Sequence, residues 1–322
     1  MKLGRFFSGL ILLAGAAFLV SLPALAQDGE KWEWKAFAQG NVFYQELTTE
    51  TNQTMKVMGQ DVKQTQLQTF IIEWTGLAPK DGNLVVQQRI KGVKMKIDIG
   101  GVNIAYDSMD ANPPNNPMTD FFKKLQEADL KITIDPKEMK VKDIQGHDEL
   151  IKKLGVTNPQ MEPLLNKILS REALIQMAEP TWGAFPTIAV KKGSTWGGKA
   201  STLDLGPIGK YTTTYKYAYE GADKAGEKVK VDAELTYTAP TEKAGLPFQI
   251  KSASLKSKEG AGSAIFDKAK GRFESTSMKM KLEGSLVIEV GGMETTVELT
   301  QDQTATVKTL DQDPTKQQPK KQ

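Results

Sequence analysis

The sequence predicts a mainly β protein, α+β by content, with long curved antiparallel sheet of half-barrel form packed on a central helical segment. Three observations predict it: period-two alternation of apolar and polar residues over most of the chain, glycine-marked turns between the alternating runs, and one stretch of helical spacing near the middle. Alternation sends successive side chains to opposite faces of a pleated strand, so each run has an oily side and a wet one.

In the clearest run Val229, Val231, Ala233, Leu235 and Tyr237 are apolar, while Lys228, Lys230, Asp232 and Glu234 lie between them. A second run carries Met278, Met280, Leu282, Gly284, Leu286, Ile288 and Val290 on one face, about 44 Å long if unbroken. Either Gly284 marks a bend there, or the sheet is long and curved. Tyr211, Tyr215, Tyr217 and Tyr219 share the face of a third run, as suits aromatic rings on a sheet. In the first half the apolar phase is even at Leu84, Val86 and Ile90 but odd at Val93, Met95, Ile97 and Ile99, which predicts a β-bulge at Gly92. Turns are expected at Lys80-Asp81-Gly82, Gly100-Gly101, Gly221-Ala222-Asp223 and Gly291-Gly292, giving a meander of hairpins.

Helix is concentrated in the middle. Asn158 followed by Pro159 is a start signal, and Met161, Leu164, Leu165, Ile168 and Leu169 follow at helical spacing, with Pro163 able to delay the regular helix. Ser170-Arg171-Glu172 caps a second helix carrying Leu174, Ile175 and Met177, and both are expected to end before Pro180. Shorter helices are expected at 119–127 and 147–154. Two passages, Leu130 to Val141 and Ser263 to Phe273, each read as an apolar strand, an Asp, a basic turn and a return strand. An Asp side chain favours such a turn by bonding to backbone two residues on. The pair raises a diverged duplication over a short span.

The chain divides accordingly. Residues 1–26 read as a signal peptide: Lys2 and Arg5 precede an apolar run from Phe6 to Leu22, and Ala24-Leu25-Ala26 predicts cleavage before Gln27. An uncleaved anchor of about 17 residues is the alternative, diluted by Ser8, Gly9 and Gly15. A polar leader (27–35), an N-terminal β-rich half (36–158), a central helical segment (159–180), a C-terminal β-rich half (181–310) and a disordered tail (311–322) follow. The expected location is periplasmic or extracellular.

Composition narrows the chemistry. With no cysteine the fold is held by its core alone, and a lipid-anchored lipoprotein is excluded. The formal net charge is +3, and removing Lys2 and Arg5 leaves +1, so there is no electrostatic case for nucleic acid. His147 is the single histidine. A catalytic triad through it and Asp148 lacks a G-x-S-x-G elbow, and an exposed residue at a helix start is the plainer reading. One histidine and no cysteine cannot assemble an ordinary zinc site. Methionines suit Cu(I), but Met95, Met278 and Met280 fall on the apolar phase of their strands, where core packing accounts for them. Gly260-Ala261-Gly262 and Trp196-Gly197-Gly198-Lys199 lack the glycines of nucleotide-binding loops. No metal and no cofactor is expected.

Several motifs resemble an uncharacterised domain of unknown function found in exported proteins, notably of planctomycete bacteria. They are Thr54 to Gln60, Tyr106-Asp107-Ser108, Ile144 to Leu150, Phe185-Pro186 with Gly193 to Trp196, and Phe266-Asp267 with Gly271-Arg272. The resemblance implies no activity and no site residue. By architecture the order of strands, helices and strands is also similar to the half-barrel carriers of lipids or lipoproteins in bacterial envelopes.

The function expected is a non-catalytic binding protein for an apolar ligand: a lipid, an acyl chain or an apolar protein segment. Its expected lining is Tyr211, Tyr215, Tyr217 and Tyr219, with Met161, Leu165 and Ile168 opposite. A structural or scaffolding envelope protein is the alternative, and a hydrolase acting through His147 ranks third.

Overall fold

The computed structural model describes residues 29–114, 117–155, 162–241 and 248–316. The expected signal peptide, the Asn158-Pro159 helix start and Met161 lie outside them. In chain order the strands are β1 (Val42–Val57), β2 (Gln60–Gly76), β3 (Leu84–Ile99), β4 (Val102–Asp107), β5 (Asp129–Asp135), β6 (Lys140–Gln145), β7 (Thr195–Asp204), β8 (Lys210–Asp223), β9 (Gly226–Thr238), β10 (Gln249–Asp267), β11 (Arg272–Val290) and β12 (Met293–Leu310). The helices are α1 (Pro117–Gln126), α2 (His147–Gly155), α3 (Glu162–Ile168) and α4 (Arg171–Gly183).

All twelve strands belong to one antiparallel sheet, in the order β6-β5-β3-β2-β1-β12-β11-β10-β9-β8-β7, with β4 on the far half of β3. Most neighbours are hairpin partners. The pairing of β1 with β12, from Tyr44 opposite Leu310 to Val57 opposite Val297, joins the two β-rich halves into a single sheet. The sheet stays open, and its two edges both meet α4, which packs on β6 and on β7. Arg171 at the start of α4 donates to Asp143 Oδ1 of β6 at 2.7 Å, and Trp196 of β7 donates to the Gly183 carbonyl at the helix end at 3.1 Å. The helix thus straps a strongly curled sheet, and no closed barrel forms.

Local sequence chemistry accounts for the details. Ile71 faces Gly92 while Ile72 faces Ile90, so the extra residue of a bulge sits at Lys91, beside the predicted Gly92. Asp135 Oδ1 accepts from the N–H of Lys137 and Glu138, and Asp267 Oδ1 from those of Ala269 and Lys270. Four residues after each Asp the backbone turns left-handed, at Met139 (φ 50°) and Gly271 (φ 62°). The two look-alike passages are therefore hairpins with the same turn. β11 runs unbroken through Gly284, where a Cβ would lie 1.8 Å from the Ser254 carbonyl oxygen. The glycine admits a close neighbouring strand, and the sheet is long and curved. Ser170 caps α4 as expected, accepting from Ala173 N–H.

Four expectations need correction. α4 does not stop before Pro180 but continues to Gly183. The lost backbone bond of one proline is outweighed by burying Trp182 against Phe37 and Trp74. The turn expected at Gly221-Ala222-Asp223 falls between Asp223 and Gly226, and Gly221 instead lies at a register shift between β8 and β9. The leader 27–35 is polar in composition, yet Trp32 is buried and stacks on Phe266 at 4.9 Å, with Trp34 packed beside it. Charges on either side of the two indoles hide them from a composition reading. The tail expected to be disordered is ordered over 311–316: Asp311 pairs with Arg272 and Lys270, and Thr315 lies against Gly92 on the outer face.

Trp32→Ala should therefore lower the unfolding free energy by about 3–5 kcal/mol, read by urea unfolding. The strap should respond to acid. Arg171 holds the Asp143 carboxyl below the ordinary range, so the stabilisation is complete above about pH 4 and is lost as pH falls through the depressed folded value. Wild type should be more stable than Asp143→Asn at pH 7, and the gap should close in parallel unfolding curves taken down to about pH 2.

Candidate functional site

Directly opposed residues of an antiparallel pair share a face, so the register traces the inner wall of the curl row by row. One row reads Ile99, Gln64, Gln53, Gln301 and Leu282 across β3, β2, β1, β12 and β11; the next reads Ile97, Gln66, Thr51, Gln303 and Met280; the third reads Met95, Gln68, Thr49, Ala305 and Met278. Three strands thus present a block of amides and hydroxyls between apolar columns. Apolar rows also bound it along the strands: Val62, Met55 and Leu299 on one side, Phe70, Leu47 and Val307 on the other. The result is a hydrogen-bonding island in an oily wall.

Its members differ in access. Gln64, Gln66, Gln68 and Gln301 are buried, while Thr51, Gln53 and Gln303 stay part-exposed. α1 accounts for part of this gradient, since Phe121, Phe122 and Leu125 pack with Met95, Ile97, Ile99 and Phe70. Over β1, β11 and β12 the inner apolar residues Leu47, Met278, Met280 and Val307 are also part-exposed, and Met278 packs at the margin of the aromatic core. Met280 packs against both the aromatic core of the leader and the aliphatic core that includes Leu255, Leu282 and Leu299.

Within the island Gln66 Nε2 donates to Gln68 Oε1, and Gln301 Nε2 donates to Gln303 Oε1, both at 3.4 Å. Gln64 is only 7% exposed and its Oε1 is buried with no hydrogen-bond partner. An orphaned buried acceptor costs its desolvation with nothing in return.

The four expected tyrosines do share the inner face, but they are packed. Tyr215 and Tyr217 lie in the same core as Leu165, with Ile168 at its margin, whereas Tyr211 lies tilted against Tyr237 in the aliphatic core. Burial pushes the Tyr215 hydroxyl up to about 12 and those of Tyr211 and Tyr217 further. Tyr219 donates to the buried Glu227, which also holds Lys268 at 2.5 Å; burial and that carboxylate push the Tyr219 hydroxyl up to about 12. His147 starts α2 with Nε2 3.2 Å from Asp148 Oδ1. Among the described residues no group of His, Asp and Glu is placed to hold a metal ion. A separate pocket of about 300 Å³ lies at the β1–β2 and β11–β12 tips, lined by Lys56, Met58, Gly59, Glu294, Thr295, Thr296 and Glu298.

Sequence reasoning missed the glutamines. The signal is present, because Gln64, Gln66 and Gln68 run in phase with Phe70, Ile72 and Trp74, and that phase marks the apolar face. Gln64→Leu should leave the protein as stable or about 1 kcal/mol more stable. Gln66→Leu should instead cost about 1–3 kcal/mol by orphaning Gln68; urea unfolding of the two variants side by side checks this.

The chain belongs to a family of unknown function, DUF6263, which matches residues 81–271, more than half its length. No curated protein matches it. Among solved structures, one of lipovitellin, concerned with lipid–protein interactions, aligns with a TM-score of 0.43 and 11% identity over 88% of this chain and 26% of that one. The chain thus spans about a quarter of the length of the lipovitellin chain. DynF of the dynemicin biosynthesis pathway of Micromonospora chersina aligns at 0.21 and 6% over 92% and 96%, and OccK5 of Pseudomonas aeruginosa at 0.21 and 7% over 85% and 99%. At these scores none of the three likenesses bears on function. No helix among the described residues is long and apolar enough to cross a membrane.

Proposed function

We propose that this DUF6263 member is a non-catalytic binding protein that holds an apolar ligand inside the curl of its sheet. The observation that carries the reading is the part-exposure of Leu47, Met278, Met280 and Val307, which face inward over β1, β11 and β12 in the middle of a twelve-stranded sheet and together would form an apolar trough. Burying such side chains against a lipid or acyl chain gains about 25 cal/mol per Å² of apolar surface removed from water. The ligand wall is accordingly moved from the packed tyrosine face to the methionine side. Export to the periplasm or cell exterior belongs to the same proposal, and its support is Lys2, Arg5, the apolar run and Ala24-Leu25-Ala26.

A scaffolding role has one observation in its favour: Met58, Val102 and Met293 stand 75%, 64% and 65% exposed at three hairpin tips, as contacts for a protein partner would. Ligand uptake separates the readings. Detergent-free protein stripped of lipid should bind the uncharged dye N-phenyl-1-naphthylamine, and Met280→Glu should weaken binding about tenfold or more by placing a charge in the trough. Lys279→Glu, on the outer face of the same strand, should leave it unchanged. Dye that binds neither wild type nor Lys279→Glu would favour the scaffold. Native mass spectrometry of the unstripped sample reports any carried ligand and whether Gln27 is the first residue.

A further inference from the structure

Resting on that reading of the trough, we infer that the ligand is an uncharged amphiphile, an apolar chain bearing an amide, ester or hydroxyl group, and that this group seats on the glutamine island. The island's chemistry is selective. Gln53, Gln64, Gln66, Gln301 and Gln303 offer amides, each both donor and acceptor, and Thr49 and Thr51 add hydroxyls. None of the residues in the three rows carries a charge. A carboxylate, phosphate or ammonium brought here would lose its water without gaining an opposite charge, at high cost. A bare hydrocarbon would instead bury polar amides without partners. A group that both donates and accepts suffers neither penalty.

Two observations point to a ligand in place of idle polarity. Gln64 Oε1 is buried and has no partner, so a donor on the ligand would satisfy a group the fold leaves unmatched. The exposure gradient runs the right way: Thr51, Gln53 and Gln303 remain part-exposed, and the buried Gln64 lies directly opposite Gln53. Along the strands successive inward rows are about 6.8 Å apart. A chain lying along β1 would therefore meet the island first and then Met55 and Leu299 on one side or Leu47 and Val307 on the other.

The experiment is displacement of N-phenyl-1-naphthylamine from stripped full-length protein by three eighteen-carbon probes: oleamide, 1-octadecene and oleate at pH 8. Oleamide should displace the dye at about a tenfold lower concentration than octadecene, the effect of one well-made hydrogen bond or a little more, and oleate should be weaker than oleamide. In Gln64→Leu/Gln301→Leu the oleamide advantage should vanish while octadecene binds as before or tighter. Gln303→Met, at a part-exposed position, gives the same reading should the double variant fail to unfold cooperatively. Equal displacement by oleamide and octadecene in wild type, or an advantage that survives both variants, overturns the island as the seat and leaves the trough standing. No uptake of dye or of any probe removes both.

Discussion

The aromatic base holds the rest of the structure in register. Trp32, Trp34, Phe37, Phe43, Trp74, Trp182, Phe185, Phe266 and Phe273 come from the leader and the turn after it, two hairpins, the strap helix and the loop that follows it, and their rings meet edge-to-face, tilted or stacked at one end of the curl. Each buries a large area, and the ring pairs add about 0.5–1.5 kcal/mol apiece beyond it. A chain without cysteine has no covalent means of keeping a wide sheet bent, and this cluster supplies a non-covalent one. It is made at some expense, since the indole N–H groups of Trp32 and Trp34 are buried without acceptors.

Charge reinforces the same end. Lys268 in the β10–β11 turn bridges Glu227 of β9 and Glu30 of the leader, while Arg272 meets Glu274 and Asp311 and lies over the Phe43 ring. The leader and the first residues past β12 are thereby tied to the turn that follows Asp267. Passages with little regular structure become part of the fold because they cover the base and the outer face.

Features governed by local physics were legible in the sequence, and those governed by distant pairing were not. The bulge beside Gly92 shows as a change of phase, the Asp135 and Asp267 turns as a polar residue before a basic run, and the cap of α4 as Ser170. The meeting of β1 with β12 leaves no local trace, because alternation reports faces and not partners. The island suffers from the same blindness. Gln66 runs in the apolar phase of its own strand, but Gln53 and Gln303 look like ordinary polar residues until the register lays three strands side by side. Alternation puts the four tyrosines on one face, but their burial depends on what packs above them, and a single strand cannot reveal that. Pro180 shows the converse: a strong local stop signal gave way to the burial of Trp182 two residues later.

The union of β1 and β12 at the middle of the sheet also dictates when the molecule can mature. Tyr44 meets Leu310, so the seam must wait until residue 310 has been made, an interval on the order of tens of seconds after β1 at ordinary rates of synthesis. Hairpins such as β8–β9 and β10–β11 need only neighbouring residues and can zip early, whereas closing so long a loop is entropically slow. Until then β1 and β12 both present unsatisfied backbone edges, the kind of surface that chaperones shield and that invites clumping when they do not.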